Sequence, residues 1–132
     1  MSDVEVVIPE AMRFYYDHLH FAPAVKLDGL VICSGVLGLD EKSHAIADPE
    51  AQFRRAFETL GLVLSEAGMT FADVVEITTF HIGMGEHMRL FTKVKDEFMA
   101  APYPAMTSVG VTELAVAGAL VEIKAIARAR RS

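Results

Sequence analysis

Only two segments of this 132-residue chain show the apolar periodicity of an amphipathic helix, which limits how much of a β-sheet the chain can cover. The first begins at Asp48 and Pro49, a capping residue followed by a proline at the first helical position, and ends at Gly68. The second is predicted over residues 86–100. Two helices can cover one face of a sheet, so the opposite face needs another partner.

The predicted strands are short and are separated by clear turn signals. Asp28-Gly29, between two apolar runs, predicts a tight hairpin because both residues tolerate the positive φ angles of such a turn. Thr70 and Asp73 predict a single capped turn before the next strand. The aromatic-rich residues 10–23 give no clear prediction. Strands are expected at residues 4–8, 24–27, 30–33, 74–82, 105–111 and 119–127.

The strand at residues 74–82 carries apolar side chains on both of its faces. Strict alternation places Val74 and Phe80 on one face, and Val75 and Ile77 on the other. Because the helices cover only one face, we expect copies of the same chain to cover the second face, as a homo-oligomer. One domain spanning residues 1–132 is predicted, since no linker or repeat divides the chain.

The composition narrows the classes of partner. The chain is 52% apolar and 23% charged, as in globular proteins, and has no apolar run long enough to span a bilayer. Its N-terminus is acidic rather than signal-like, so a cytoplasmic protein is expected. A net charge of −6 argues against nucleic-acid and membrane partners. Cys33 is the only cysteine, which excludes an intrachain disulfide and a multi-cysteine zinc site. In an apolar strand we expect it to be a buried, inert thiol, and without a closed ligand set among the histidines we expect no metal site.

Several short motifs, in unbroken order over about residues 20–127, resemble those of the RidA/YjgF family. The most extended is GLVICSG at residues 29–35, which resembles the family's strand followed by Ser-Gly. No single motif is specific, but their order and spacing together carry the resemblance. The others are Ala51-Gln52, Ala67-Gly68, Asp73-Val74-Val75, Pro104-Ala105 and GALVEI at residues 118–123.

The resemblance implies a chorismate-mutase-like α+β fold, in which a mixed sheet carries two helices on one face. It also implies a homotrimer with a central barrel and with ligand-binding clefts between subunits. Active family members hydrolyse reactive imino or enamine acids to a keto acid and ammonia, and they need no metal or cofactor. The same chemistry is therefore an expectation for this chain.

The residues expected to perform that chemistry are only partly present. The family's carboxylate-binding arginine directly follows Pro-Ala, but here Met106 follows Pro104-Ala105. Methionine cannot hold a carboxylate by charge or by hydrogen bonding, so ordinary imino-acid deaminase activity is expected to be weak or absent. Glu122 matches the family's acidic position and is the candidate catalytic residue. Strand alternation also fits a Glu122 that simply faces solvent.

The candidate substrate-binding residues are Phe21, Ser34, Gly35 and Met106. Ser34 and Gly35 match a strand-end motif that lines the family's pocket, although Ser-Gly is also typical of an ordinary turn. Phe21 stands where the family has a pocket tyrosine, so the ring is kept and the hydroxyl is lost. An isolated phenylalanine is also typical of a core.

Three functions remain open at this point. The first is an enzyme that hydrolyses an imine or enamine through Glu122, in a trimer with altered clefts. The second is a trimer that binds a small molecule without catalysis, which Met106 and Phe21 favour. The third is a holdase-like interaction role, which requires exposed apolar surface. The acidic charge gives no support to the endoribonuclease activity also attributed to the family.

Overall fold

The computed structural model describes residues 3–129, which form seven strands and three helices. Single 3₁₀ turns span Glu10–Met12 and Phe71–Asp73. The helices are α1 (Arg13–Leu19), α2 (Pro49–Glu66) and α3 (Met84–Phe98). The strands are β1 (Glu5–Val7), β2 (Ala24–Leu27), β3 (Leu30–Cys33), β4 (Val36–Leu37), β5 (Val74–His81), β6 (Ala105–Gly110) and β7 (Val121–Arg128).

The strands form one mixed sheet in the order β1-β2-β3-β7-β5-β6, and β4 also pairs with β7. β5 and β6 are parallel, and the other pairs are antiparallel. One edge of β7 pairs first with β4 and then with β3, while its other edge pairs with β5. The α+β fold with a mixed sheet is therefore confirmed.

The local turn and cap predictions are also confirmed. In the β2–β3 hairpin, Asp28 and Gly29 have φ angles of 51° and 79°. At the start of α2, the Asp48 carboxylate accepts a hydrogen bond of 2.9 Å from the backbone N–H of Ala51. Gly68, just after α2, has a φ of 79°, which is the left-handed conformation that favours glycine at a helix end. Thr70 and Asp73 form a capping box.

Helices α2 and α3 pack against one face of the sheet through a continuous apolar core. Aromatic rings join the two helices: Phe57 stacks on Phe98 at 5.2 Å between centroids, and Phe53 meets Phe91 edge-on at 5.6 Å. Full burial of a large apolar side chain contributes about 1.5–3 kcal/mol. The sheet face below them presents the alternate β7 residues Val121, Ile123, Ala125 and Ala127, all buried.

A third helix, α1, corrects the prediction of two helices. It lies within the aromatic-rich residues 10–23, for which no clear prediction was possible. Two contacts at helical spacing support it: the Phe14 ring stacks on His18 at 5.0 Å, and Arg13 pairs with Asp17 at 3.4 Å. The helix ends at Leu19, the residue after it, His20, has a φ of 62°, and no residue of the helix is fully buried. No helix within residues 3–129 is long and apolar enough to cross a membrane.

The strict alternation predicted for β5 is wrong because the strand contains an irregularity. Its pairing with β7 shifts register between Val74 and Glu76. Such a bulge adds one residue to a strand and reverses the alternation beyond it. Val74 and Ile77 are therefore both buried beneath the helices, whereas Phe80 is only half-buried on the opposite face.

The sheet face opposite α2 and α3 carries a row of apolar side chains that are aligned across four strands. Val6 is paired with Val25, Val25 with Ile32, and Ile32 with Ile126. Val6 is exposed and the other three are half-buried. We call these four residues the cross-strand row. The expectation of apolar residues on both faces of the sheet therefore holds, although the residues differ from those predicted in β5.

Candidate functional site

A cavity of about 690 Å³ lies beside β4, and most of its wall is apolar. It lies among α1, the chain between β3 and β4, the loop after β4 and one side of α2. Four of the five candidate site residues, all except Met106, are on its wall. These are Phe21, Ser34, Gly35 and Glu122.

Ser34 and Gly35 lie where the partner of β7 changes from β3 to β4. The Ser34 backbone N–H donates to the Pro23 carbonyl at 2.9 Å, and its hydroxyl donates to the Ala22 carbonyl at 2.6 Å. Because the hydroxyl proton is already used, Ser34 Oγ can offer only its lone pairs to a ligand. Ser34 is therefore a hydrogen-bond acceptor at this end of the cavity.

The Glu122 carboxylate lies over Gly35, in the space that a side chain at position 35 would occupy. A Cβ built on Gly35 would overlap Glu122 Oε2 and would lie 2.5 Å from its carboxyl carbon. Glu122 is paired with Leu37 on one side and with Phe80 on the other. It is half-buried, and its carboxylate accepts no hydrogen bond from residues 3–129. Its lone pairs are therefore available to a ligand or to water.

Phe21 is on the cavity wall rather than in the protein core. Its side chain is 40% exposed, and its ring lies 5.4 Å from that of Tyr15 in α1. The Phe21 backbone N–H donates to the Tyr15 carbonyl at 3.3 Å, which ties the end of α1 to this wall. The interpretation of Phe21 as a core residue is therefore wrong.

Met106 does not share the cavity with Glu122. It lies in β6, opposite Ile77 of β5, which in turn lies opposite Ala125 of β7. Glu122 is three residues from Ala125 and so points to the opposite face of the sheet. With about 4.8 Å between strands and about 3.3 Å per residue, the Cα atoms of Met106 and Glu122 are about 14 Å apart.

Arg55 also lines the cavity and was not predicted. Together with Thr59 and Leu62 it forms the side of α2 that faces the cavity. Its Nη1 donates to the Leu39 carbonyl at 2.8 Å, and its Nε lies 3.4 Å from the exposed carboxylate of Glu58. In the sequence, an arginine next to another arginine on a helix has the pattern of a solvated charge.

A second polar cluster lies outside the cavity, on the helix-covered face of the sheet. The Thr79 hydroxyl is 2.6 Å from the Ser108 hydroxyl and 2.8 Å from His81 Nε2. His81 is buried, and its Nδ1 has no hydrogen-bond partner within residues 3–129. Burial lowers the pKa of His81, and the neighbouring His87 lowers it further. Both effects favour the neutral imidazole over the charged one.

Cys33 is buried in β3, as the sequence predicts. Burial raises the pKa of its thiol to about 11. A thiol in this state is a poor nucleophile, which fits the prediction of an inert cysteine.

Comparison with known proteins identifies the family. Residues 16–129 match the family model described as Endoribonuclease L-PSP. The chain is 36% identical to the RutC family protein YjgH of Escherichia coli over 129 residues, which are 97% of each chain. A solved structure of a protein YJGH has a TM-score of 0.88 at 35% identity, over 99% of this chain and 100% of that one.

A solved RidA from an Antarctic Psychrobacter bacterium is also similar. It has a TM-score of 0.76 at 28% identity, over 82% of this chain and 87% of that one. Sequence and fold agree over almost the whole described chain, and the matched residues 16–129 include Ser34 and Glu122. The chain belongs to the RidA/YjgF family.

Proposed function

We propose that this protein hydrolyses an imine or enamine in the cavity that holds Glu122. The observation that carries the proposal is the pair of acceptors at one end of an otherwise mostly apolar cavity. Glu122 offers a carboxylate without a hydrogen-bond partner within residues 3–129, and Ser34 offers hydroxyl lone pairs. A protonated imine is both a cation and a hydrogen-bond donor, so it complements these two groups.

In the proposed reaction, Glu122 acts as a general base and then as a general acid. It takes a proton from water while the water oxygen bonds to the imine carbon, and the electrons of the C=N double bond move to nitrogen. It then returns the proton to that nitrogen. As the C–N bond breaks, Glu122 takes the proton of the new hydroxyl group and the O–H electrons form the C=O double bond. Ammonia and a carbonyl compound leave, and Glu122 releases the remaining proton to solvent. A positioned acid–base group of this kind contributes about 10²- to 10⁴-fold in rate.

We further propose that the active form is a homotrimer, in which a second copy supplies Met106 to the cavity. Within one chain Met106 and Glu122 lie on opposite faces of the sheet, so they can meet only between copies. The cross-strand row supports assembly because it places four apolar side chains on the sheet face that α2 and α3 leave uncovered. Where the second copy meets the cavity, Met106 cannot bind a carboxylate, which selects against substrates that need their carboxylate bound at this place.

The test measures ammonia release above the spontaneous rate from two kinds of imine made in situ. An amino-acid oxidase supplies α-imino acids, and an amine oxidase supplies imines that lack a carboxylate. The proteins are the wild type, Glu122→Gln, Met106→Arg and, as a control, Glu76→Gln. Glu76 is an exposed carboxylate on the neighbouring strand β5, outside the cavity.

We expect the wild type to accelerate hydrolysis of the carboxylate-free imine, and Glu122→Gln to lower that rate about 10²-fold or more. Glu76→Gln should match the wild type. Met106→Arg should improve hydrolysis of α-imino acids. A Glu122→Gln variant as active as the wild type would rule out the proposed role of Glu122.

A second candidate function, binding without catalysis, is favoured by Phe21. Without a hydroxyl, its ring can pack against a ligand but cannot orient a reacting nitrogen or water. If only Met106→Arg hydrolyses imino acids, the scaffold supports the chemistry and the natural protein is a binder. In that case titration calorimetry with the carbonyl products should detect binding to the wild type.

A further inference from the structure

Arg55 is a cation on the cavity wall that the proposed hydrolysis does not use. We infer that Arg55 binds the carboxylate of an elongated, largely apolar substrate whose reacting imine lies at Glu122. The inference rests on the proposed function, since it deepens the description of the same cavity. It names the substrate class: a molecule with a carboxylate at one end and an imine or carbonyl group at the other.

The guanidinium of Arg55 is held in place and still has donors available. Its hydrogen bond to the Leu39 carbonyl fixes the group beside the loop that follows β4. Nη2 makes no hydrogen bond within residues 3–129, and the side chain is 37% exposed. A planar guanidinium with free N–H groups matches a carboxylate well and keeps its charge at all working pH values.

Three acidic residues lie near Arg55, and none of them blocks the site. Asp40 Oδ1 already accepts backbone hydrogen bonds from Lys42 at 2.8 Å and His44 at 3.0 Å. Glu41 is exposed on the loop, with no ion pair within residues 3–129. Glu58 pairs with Arg55 Nε at 3.4 Å, but its side chain is 54% exposed, and such surface pairs are weak. A ligand carboxylate can therefore replace Glu58.

The distance between the two charged groups excludes the small substrates typical of the family. The Glu122 carboxylate lies over Gly35, whereas the Arg55 guanidinium lies against Leu39, four residues further along an extended segment. At about 3.3 Å per residue of extended chain, Gly35 and Leu39, the positions against which the two groups lie, are about 13 Å apart. In an α-imino acid the carboxylate is bonded directly to the imine carbon, so one molecule cannot reach both groups.

The wall between the two ends is suited to an alkyl or aromatic chain. Tyr15, Leu37, Leu39, Leu62 and Val116 all line the cavity. A chain laid along these residues removes apolar surface from water, which contributes about 25 cal/mol per Å². The cavity thus combines the acceptors Ser34 and Glu122, the cation of Arg55 and a mostly apolar lining.

The test uses product-like ligands, so that binding is measured separately from catalysis. The probe is a ten-carbon keto acid with its ketone at the end opposite the carboxylate. Its methyl ester and a four-carbon α-keto acid serve as comparison ligands. Calorimetry measures affinity for the wild type, Arg55→Gln, Arg55→Lys and Glu122→Gln. The matched control is Arg54→Gln, because Arg54 is the adjacent arginine and pairs with Glu50 and Glu97 instead.

We expect the wild type to bind the long keto acid about 10- to 100-fold more tightly than its methyl ester. Arg55→Gln should remove this preference, Arg55→Lys should keep part of it, and Arg54→Gln should leave it unchanged. The inference is overturned if the wild type does not bind the long keto acid, or binds acid and ester equally. It is also overturned if Arg55→Gln keeps the preference.

The two proposals fail separately. If the wild type prefers the long keto acid to its ester through Arg55 but shows no Glu122-dependent hydrolysis, the carboxylate site at Arg55 is supported and the proposed hydrolysis is wrong. If hydrolysis depends on Glu122 but its rate changes neither in Arg55→Gln nor when the substrate lacks a carboxylate, the proposed hydrolysis is supported and the carboxylate site at Arg55 is wrong.

Discussion

The carboxylate of Glu122 occupies the place where a Cβ at residue 35 would stand. Gly35 thus lets Glu122 lie along the cavity wall with its oxygens accessible. The glycine is needed at this position for close approach, because the three atoms nearest to a Cβ there all belong to the Glu122 side chain.

Replacing Gly35 by alanine should displace the Glu122 carboxylate and lower the rate of imine hydrolysis about 10- to 100-fold. Stability should change little, because the atoms that must move, from Cγ to Oε2 of Glu122, all belong to one flexible side chain and not to the backbone. The measurement is the hydrolysis rate, with a thermal melt to verify folding. Gly110→Ala is the control, since a Cβ there would only approach the His81 carbonyl at 4.0 Å. Full activity in Gly35→Ala would contradict the placement of Glu122.

Replacing Gln52 by leucine should destabilise the fold by about 3 kcal/mol. Gln52 is fully buried, and its amide donates to the carbonyls of Ile46 and Gly118 and accepts from the N–H of Leu120. The three backbone groups are part-buried, so each that loses its partner costs about 1 kcal/mol, the lower end of the range for a buried group. Urea denaturation measures the loss, and Ser65→Ala on the exposed side of α2 should be near neutral. A loss below about 1 kcal/mol would show that water replaces these bonds.

His81 should make the fold less stable as the pH falls below about 6.5. Its pKa is lowered in the folded state by burial, so the unfolded chain binds a proton that the folded chain does not. The contribution of His81 to the free energy of unfolding is therefore complete above pH 6.5. Below that pH it declines, by at most about 1.4 kcal/mol per pH unit. The difference between the free energies of unfolding at pH 7.5 and pH 5.5 should be smaller in His81→Gln than in the wild type. The control is His44→Gln, on an exposed loop, which should retain the wild-type difference.

Cys33 should resist thiol reagents while the protein is folded. With a pKa of about 11, only about one thiol in a thousand is ionised at pH 8, and the side chain is buried. Reaction with an aromatic disulfide should be slow in buffer and fast in urea. A Ser65→Cys variant provides an exposed thiol for comparison. Rapid labelling of native Cys33 would show that β3 opens readily.

A charge in the cross-strand row should prevent assembly while leaving the chain folded. Ile32 is half-buried and is paired with Val25 and Ile126, so Ile32→Glu places a carboxylate at the centre of the row. Light scattering should give three times the 14.4 kDa chain mass for the wild type and a single chain for the variant. Lys93→Glu, on the exposed side of α3, is the control. A wild type that is monomeric would overturn the proposed trimer.

Much of the fold was predictable because its signals are local. The Asp28-Gly29 turn, the Asp48 cap and the Gly68 helix end each depend on residues a few positions apart. The two residues of β4 were not predicted, since they are defined only by pairing with Ile123 and Glu122, far along the chain. The bulge at residues 74–76 likewise exists only in relation to β7.

The candidate site was predictable to a similar extent. Family resemblance indicated Phe21, Ser34, Gly35 and Glu122, and the fold brings these four residues to one cavity. Met106 was expected there as well, but its strand places it on the opposite face. Arg55 was not predictable, because its role depends on the loop carbonyl of Leu39, and no spacing along α2 encodes that contact.

The position of β7 in the sheet also determines how the molecule can be assembled during synthesis. β7 is the last strand in sequence, yet it lies between β3 and β5. Until residues 121–128 leave the ribosome, the hairpin half and the β5–β6 half have no shared strand to join them. Non-local pairing of this kind is slow, and unpaired strand edges are prone to aggregate. The strand that joins the halves also carries Glu122, so an incompletely folded chain cannot carry out the proposed reaction.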